Sequence, residues 1–466
     1  MNNEDFNKNA HRIVDWISDY YKHTEEYPVR SKVKPRDIFD RLPEKMPESG
    51  EDFEDIFKDF KEHIMPGITH WQSPLFFAYF PANASFPSIL GEFLTSALGA
   101  QCMKWVTSPA ASELEEQVMN WLGDAIGLDS KFYGVIQDTA STATLCSILT
   151  AREKYSKYDI NLNGFTDQKF RVYCSTETHS SIEKDVKIAG IGSNNLVKIP
   201  VKDDLSMNAE LLEKQIIQDK NDGFTPICIV SALGTTGTVA FDPLEKIAEI
   251  SKKHNIHLHV DAAYAGSALI LDEYKHLLKG IENVDTFVFN PHKWLMTNFD
   301  CSAYFVRDKE ALIKTFQIVP EYLKTNIPGD HNDYEDWGIQ LGRRFRALKL
   351  WFVLRSFGLS GLQDTLRFHI KMAQKFEKAI SKHPDFEVMI PRSMNLVCFR
   401  LNKGQDNLNK INSELLESIN SSGEIFMTHT KTGNDLIIRF VCGNANLEER
   451  HIDKALSVIF KHGEKF

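Results

Sequence analysis

Between residues 86 and 350, short β-branched or aromatic runs alternate with helical segments: YGVIQ, RVYCS, PICIVSA, IHLHVD and TFVFN are separated by stretches such as LEKIAEISKKH. Strands joined through helices cross over and pair in parallel, and a parallel sheet needs helices on both faces. The pattern therefore predicts an α/β chain with a mostly parallel central sheet. Ligands of such sheets bind beyond the carboxyl ends of the strands, so the residues that follow each run are the candidates for chemistry.

The rest of the chain reads differently. Ile13, Ile17, Tyr20 and Tyr21 share one helical face and Phe53, Ile56, Phe57 and Phe60 another, with breaks near Pro28, Pro43 and Pro66. These apolar faces, notably Ile13, Ile17, Phe53 and Phe57, exceed what so short an arm buries alone, which predicts a second subunit as cover. Ser112 and Glu115 have the spacing of a capping box ahead of Leu114, Val118 and Leu122. A long helical region is predicted from Leu341 to His383. Two strands follow (FEVMI, NLVCFRL), then a helix near 406–420, two more strands (EIFMTHT, DLIIRFVC) and a last helix from Leu447. At about 150 residues per domain the length suits three parts. They are a helical arm (1–85, dimerisation), a large α/β domain (86–355) and a small C-terminal α+β domain (356–466).

Charge and composition narrow the function. Lys and Arg number 54 against 64 Asp and Glu, a net charge of −10, and no basic stretch is long enough to track a phosphate backbone, so nucleic acid is not an expected partner. No window approaches the ~20 apolar residues of a membrane span. The opening MNNEDFNKNAHRIVDW is polar and partly acidic where a signal peptide is basic and then apolar. The 7 cysteines are scattered and form no CxxC pair, as expected of reduced thiols in a cytoplasmic protein.

The sharpest local feature is Asn290-Pro291-His292-Lys293-Trp294, directly after TFVFN. A lysine at a strand end either snorkels to solvent or, if buried, has the lowered pKa that a Schiff-base amine requires. The run His257-Leu258-His259-Val260-Asp261, leading into Ala262-Ala263-Tyr264-Ala265-Gly266, places Asp261 at the same edge. Lysine and aspartate together are what pyridoxal 5'-phosphate (PLP) needs: an amine for the aldehyde and a carboxylate that keeps the pyridine nitrogen protonated. Asp261 as a helix cap is the alternative. A rival of another class is a metal-dependent hydrolase, since His257, His259 and Asp261 alternate onto one face and are similar to part of the HxHxDH metal motif. Asp138-Thr139-Ala140-Ser141-Thr142 opens a helix after YGVIQ, a place where exposed N–H groups attract an anion or where Ser and Thr simply cap. Gly234-Thr235-Thr236-Gly237-Thr238 and the turn holding His179 close two further strands.

With these pieces in order, the chain resembles the group II PLP-dependent decarboxylases, specifically the aromatic L-amino acid decarboxylases. The likeness runs through THWQSPLFFAYFPA (69–82), SPAASELE, GVIQDTASTATL, ETHSSIEK, GTTGT, HVDAAYAGSA, NPHKW and LGRRFRALKLWFVLR (341–355). It implies the PLP-dependent transferase-like fold (fold type I) and a homodimer with a shared active site. By this resemblance Lys293 holds the cofactor's aldehyde, Asp261 partners its ring nitrogen, His179 stacks on one ring face and Ala263 packs on the other. Ala140, Ser141, Asn290 and His292 hold the phosphate, with Thr236 near the ring hydroxyl. Tyr322, in a Pro-, Gly-, Asn- and Asp-rich stretch, matches the tyrosine that protonates the carbon left after CO2 loss. The substrate pocket includes Trp71, Tyr79, Phe80, Pro81, Gln101, Met103 and Gly342. Gln101 and Met103 depart from the larger apolar residues usual there, and Asp138 stands where glycine or a small residue is usual.

The implied reaction is decarboxylation of tryptophan, tyrosine, phenylalanine or dopa to the arylalkylamine. Relatives that release an arylacetaldehyde oxidatively carry Phe at the position of Tyr322, so that alternative is disfavoured. Gly342 matches relatives that accept indolic rings. A non-catalytic protein on the same fold would not need Lys293, Asp261 and Tyr322 together.

Overall fold

The computed structural model describes residues 1–318, 330–404 and 406–466. They form two compact units: Asn83–Arg367, and Met1–Ala82 together with Phe368–Phe466.

The larger unit is built on a sheet of β1 (Tyr133–Gln137), β2 (Phe170–Ser175), β3 (Leu196–Ile199), β4 (Thr225–Ala232), β5 (His257–Asp261), β6 (Thr286–Phe289) and β7 (Ser302–Val306). Their order is β1-β7-β6-β5-β4-β2-β3. β2 pairs in parallel with β3 and β4, as do β4 with β5 and β5 with β6, while β7 runs antiparallel to both β1 and β6. The five runs picked out by sequence are all strands. β3 and β7 are additions: LVKI is a four-residue edge strand buried only at its ends, and SAYFV follows across residues 290–301, whose one helix is the single turn Pro291–Trp294. With no full crossover helix to carry it back over the sheet, the chain returns antiparallel.

β4 is buried at every position but its first, as a strand covered on both faces must be. Leu145, Ile148 and Ala151 of the helix Ala140–Ser156 pack with Val172, Cys174, Ile227 and Val230 of the strands, and its Ala143 and Cys146 pack with Val135, Val288 and Tyr304.

The capping box expected at Ser112 and Glu115 is not one. The helix Pro109–Ile126 begins a turn earlier, with Ser108 at the N-cap and proline preorganising the first turn. Glu115 instead faces inward at 2% exposure. It accepts the Ile136 N–H at 2.8 Å and the Arg343 guanidinium, whose Nη1 is 3.1 Å from Oε2. The long helical region is Arg346–Lys382, with non-helical backbone at Gly358 (φ 62°), and residues 341–345 lie outside it.

In the other unit, β8 (Phe386–Ser393), β9 (Leu396–Leu401), β10 (Thr428–Thr432) and β11 (Asp435–Val441) form an antiparallel sheet ordered β10-β11-β9-β8. The N-terminal residues Val29 and Leu75–Ala78 belong to the same core as Phe376, Phe399 and Phe440. Phe77 stacks on Phe440 at 4.1 Å between ring centroids. Its main chain bonds Phe426 and Val441 at 2.9 and 3.1 Å. The end of the arm is thus core of the C-terminal sheet, whereas the helix Asn3–Lys22 has no buried residue. No helix among the described residues is long and apolar enough to cross a membrane.

Removing one partner of a buried ion pair strands the other charge at a cost of about 3–5 kcal/mol. Glu115→Ala should lower unfolding free energy by that order in urea titrations, and Glu115→Ala with Arg343→Met should lose clearly less than Glu115→Ala alone.

Candidate active site

Five strands deliver their following residues to one sheet edge. β5 ends on Asp261, whose Oδ1 accepts the Ala263 N–H at 3.0 Å. β6 is followed by Asn290, the N-cap of the one-turn helix Pro291–Trp294 that contains His292 and Lys293. Burial lowers the Lys293 ammonium below its ordinary pKa, with the Asp261 carboxylate opposing that shift. The Lys293 carbonyl accepts Asn83 Nδ2 at 2.8 Å, and Asn83 is itself buried. No motif pointed to Asn83; its role comes from an interaction distant in sequence.

After β2, the exposed His179 receives the Ser181 N–H on Nδ1 at 3.2 Å, which leaves Nε2 as the protonated nitrogen of the neutral ring. The surrounding protein holds its pKa below the usual imidazole value; Asp261 opposes this and Lys293 adds to it. After β4, the turn bearing Thr236 closes through Gly234 and Thr235 N–H bonds to Ala240 O at 3.1 and 2.9 Å. Gly234 is required there: φ is +97°, and a Cβ would lie 2.6 Å from that of Ala265.

After β1, Thr139 caps the helix Ala140–Ser156, so the Ala140 and Ser141 N–H groups belong to its first turn and have no intrahelical acceptor. Asp138 turns aside, accepting Gln340 Nε2 at 2.9 Å. Two further side chains are set as donors. The Asn290 Oδ1 accepts Ser302 Oγ at 2.6 Å, leaving its amide N–H groups. His292 Nδ1 accepts the Cys301 N–H at 2.9 Å, leaving Nε2–H, and burial, with Lys293 adding to it, pushes its pKa down to about 3. A neutral imidazole and an amide with their acceptors occupied, beside a helix N-terminus, make a donor-only set suited to a phosphate dianion. The carboxylate of Asp261 and the amine of Lys293 supply the remaining chemistry that a pyridine aldehyde requires.

Gln101 and Gly342 are neighbours: a Cβ on Gly342 would lie 3.5 Å from Gln101 Oε1. Met103 O accepts the Glu335 N–H at 3.0 Å. In the other unit, Trp71 and Tyr79 stack at 5.6 Å with 15° between ring planes, Phe80 lies 5.2 Å from the Arg439 guanidinium, and Pro81 is buried. Tyr322 lies outside the described residues.

The metal-hydrolase reading fails on hydrogen bonding. His259 Nε2 is 2.9 Å from Thr144 Oγ1 and its Nδ1 2.9 Å from Thr286 Oγ1, so hydroxyls occupy both nitrogens. Burial and then His257 push its pKa down to about 3. His257 Nε2 is 2.9 Å from Ser147 Oγ. Among the described residues no three His, Cys, Asp or Glu side chains gather as a metal site would need.

Comparison with known proteins gives the same picture over the whole chain. The pyridoxal-dependent decarboxylase conserved domain matches residues 35–402. A curated relative, tyrosine decarboxylase 2 of Narcissus pseudonarcissus, is 43% identical across 98% of this chain and 94% of its own length. Phenylacetaldehyde synthase of Petunia hybrida is 42% identical with the same coverage. Among solved structures, Oryza sativa TDC with PLP and tryptamine superposes with a TM-score of 0.97 at 35% identity, covering 100% of this chain and 99% of that one.

The donor set predicts that His292→Phe, which keeps a ring beside Phe299 but deletes Nε2–H, weakens PLP binding about tenfold to a hundredfold, the value of one hydrogen bond to a charged group. Titration of the apoprotein followed by visible absorbance measures it.

Proposed function

The chain belongs to the pyridoxal-dependent decarboxylase family, and on that premise we propose that it converts an aromatic L-amino acid (tryptophan, tyrosine, phenylalanine or dopa) to the arylalkylamine and CO2. The fold is the PLP-dependent transferase-like fold, and the cofactor is pyridoxal 5'-phosphate. The observation that carries the residue assignment is the pairing of Asp261 and the pKa-lowered Lys293 at the ends of adjacent strands, beside a donor-only phosphate cradle.

When bound, PLP supplies an electron sink for the bond pair left as CO2 departs. Lys293 Nζ is the amine that takes the aldehyde carbon; its lowered pKa leaves more of it neutral and nucleophilic. Asp261 holds the proton on the ring nitrogen. The Ala140 and Ser141 N–H groups, the Asn290 amide and His292 Nε2–H hold the phosphate, and Thr236 bonds the ring hydroxyl. His179 covers one ring face, while the small Ala263 leaves room on the other. Trp71, Tyr79, Phe80 and Pro81 receive the substrate's flat side chain by their likeness to the family's pocket. Gln101, Met103 and Gly342 set the ring size accepted, and Gly342 adds no bulk beside Gln101. Tyr322 returns the proton to the carbon that lost CO2.

We assign the protein as a homodimer with a shared active site. Phe86, Leu90, Phe93, Leu94 and Leu98 repeat at helical spacing on Phe86–Leu98 and are 39–64% exposed, an apolar stripe suited to a second subunit. The arm supports the same reading with exposed Ile13, Val14 and Ile56. A reducing, cytoplasmic location accords with seven free and buried cysteines.

The reading is tested by supplying purified protein and PLP with a panel of aromatic amino acids and measuring amine, aldehyde, peroxide and ammonia. Amine as the main product is expected; stoichiometric aldehyde, peroxide and ammonia would favour the oxidative arylacetaldehyde-forming alternative instead. Lys293→Ala should lose the yellow colour of the loaded protein and turnover, and Asp261→Asn should keep some cofactor but lose most activity. Tyr322→Phe should still release CO2 but shift product from amine toward aldehyde. Sedimentation of the active enzyme should give a dimer.

A further inference from the structure

Asp138 stands beside the phosphate cradle and has no part in the chemistry above. It follows β1 and directly precedes Thr139, the N-cap of the helix Ala140–Ser156. Neutral donors hold its carboxylate: Oδ1 accepts the Thr139 N–H at 2.5 Å and Thr139 Oγ1 at 3.2 Å, and Oδ2 accepts Gln340 Nε2 at 2.9 Å. Gln340 lies two residues before Gly342, on a loop that the neighbour of Asp138 also holds. Gln137 Nε2 donates to Trp337 O at 3.0 Å, and a Cβ on Gly338 would lie 2.8 Å from that nitrogen, so the loop rests closely on the end of β1. The Asp138 carbonyl accepts Ser302 Oγ at 3.3 Å, which ties its main chain to the hydroxyl that bonds Asn290.

An aspartate readily accepts the N–H two residues ahead of it, the Asx turn. For Asp138 that N–H belongs to Ala140, one of the cradle's donors. A helix N-terminus attracts its own aspartate as well as a phosphate, so the two anions compete for the same groups. In this structure both carboxylate oxygens are engaged elsewhere, Oδ1 by Thr139 and Oδ2 by Gln340. The Ala140 and Ser141 N–H groups are left without an acceptor among the described residues.

We propose that Asp138 is an internal competitor for the cofactor's phosphate and that Gln340 is the positioning residue that withholds it. The Gln340 amide keeps the carboxylate off the cradle N–H groups, so the loop of Gly342 sets how tightly phosphate binds. This rests on the assignment of Ala140 and Ser141 to the phosphate. The coupling is reciprocal: a phosphate in the cradle repels the carboxylate toward Gln340, and bound cofactor thereby steadies the loop.

The test is binding of PLP to apoprotein, and competition by inorganic phosphate, followed by visible absorbance in wild type, Gln340→Leu, Asp138→Asn and the double variant. Gln340→Leu should weaken PLP and phosphate about threefold to tenfold, the range of one hydrogen bond. Asp138→Asn removes the like charge and should tighten both about twofold to fivefold. The double variant should bind as Asp138→Asn does, because no carboxylate remains to be withheld. The gain from Asp138→Asn should shrink at about 1 M KCl, which screens charge but would not mend a packing defect. Should Gln340→Leu fail to fold, Gln340→Glu keeps the shape without the donor, and the same order is expected. Weakening by the Gln340 variant that is as large in the Asp138→Asn background overturns the proposal, as does weaker phosphate binding by Asp138→Asn than by wild type. Inorganic phosphate that does not compete with PLP in wild type overturns instead the cradle assignment on which the proposal stands.

Discussion

Both faces of the central sheet are covered, so every polar group placed there has to find its partner inside the protein. His257 and His259 show how this is met: Ser147 and Thr144 reach down from the helix Ala140–Ser156, and Thr286 reaches across from β6. Those hydroxyls engage both nitrogens of His259 and Nε2 of His257 and turn a metal-like pattern into a buried seam. The strand ends differ. There Asn290 and His292 have their acceptor atoms engaged, and among the described residues nothing takes their side-chain donors. Reactivity sits at the sheet edge, where the acceptor atoms of Asn290 and His292 are engaged and their N–H groups serve as donors.

Much of this was legible in sequence, because strand runs and the residues that follow them obey local rules. IHLHVD and TFVFN are read by their β-branched and aromatic content, and the edge position of Asp261 and Lys293 follows from parallel pairing alone. What escaped was decided by tertiary partners. Ser112 and Glu115 have the spacing of a cap, but Glu115 is claimed by Arg343 and Ile136, more than twenty residues away in each case. β7 has strand-forming residues, yet its antiparallel place between β1 and β6 depends on a connection that carries only the one-turn helix Pro291–Trp294 and no crossover helix.

The arm is a similar case. Its amphipathic pattern correctly marks helices, but periodicity says nothing about which core receives Leu75–Ala78, and these residues fill the C-terminal sheet's core. Asn83 was silent for another reason. A single asparagine has no pattern, and its meaning lies in what surrounds it in space, here a lysine carbonyl.

The Glu115–Arg343 pair does more than fill a buried space. Arg343 also donates to Cys102 O at 3.1 Å and Ile136 O at 2.9 Å, and its own carbonyl accepts the Cys102 N–H at 3.1 Å. One arginine therefore laces together the segment of Gln101 and Met103, the loop of Gly342 and the end of β1. Those two short segments form a cassette with a common anchor. Evolution or an engineer can rewrite residues 101, 103 and 342 together on an unchanged clasp, whereas an insertion in either segment would unfasten both.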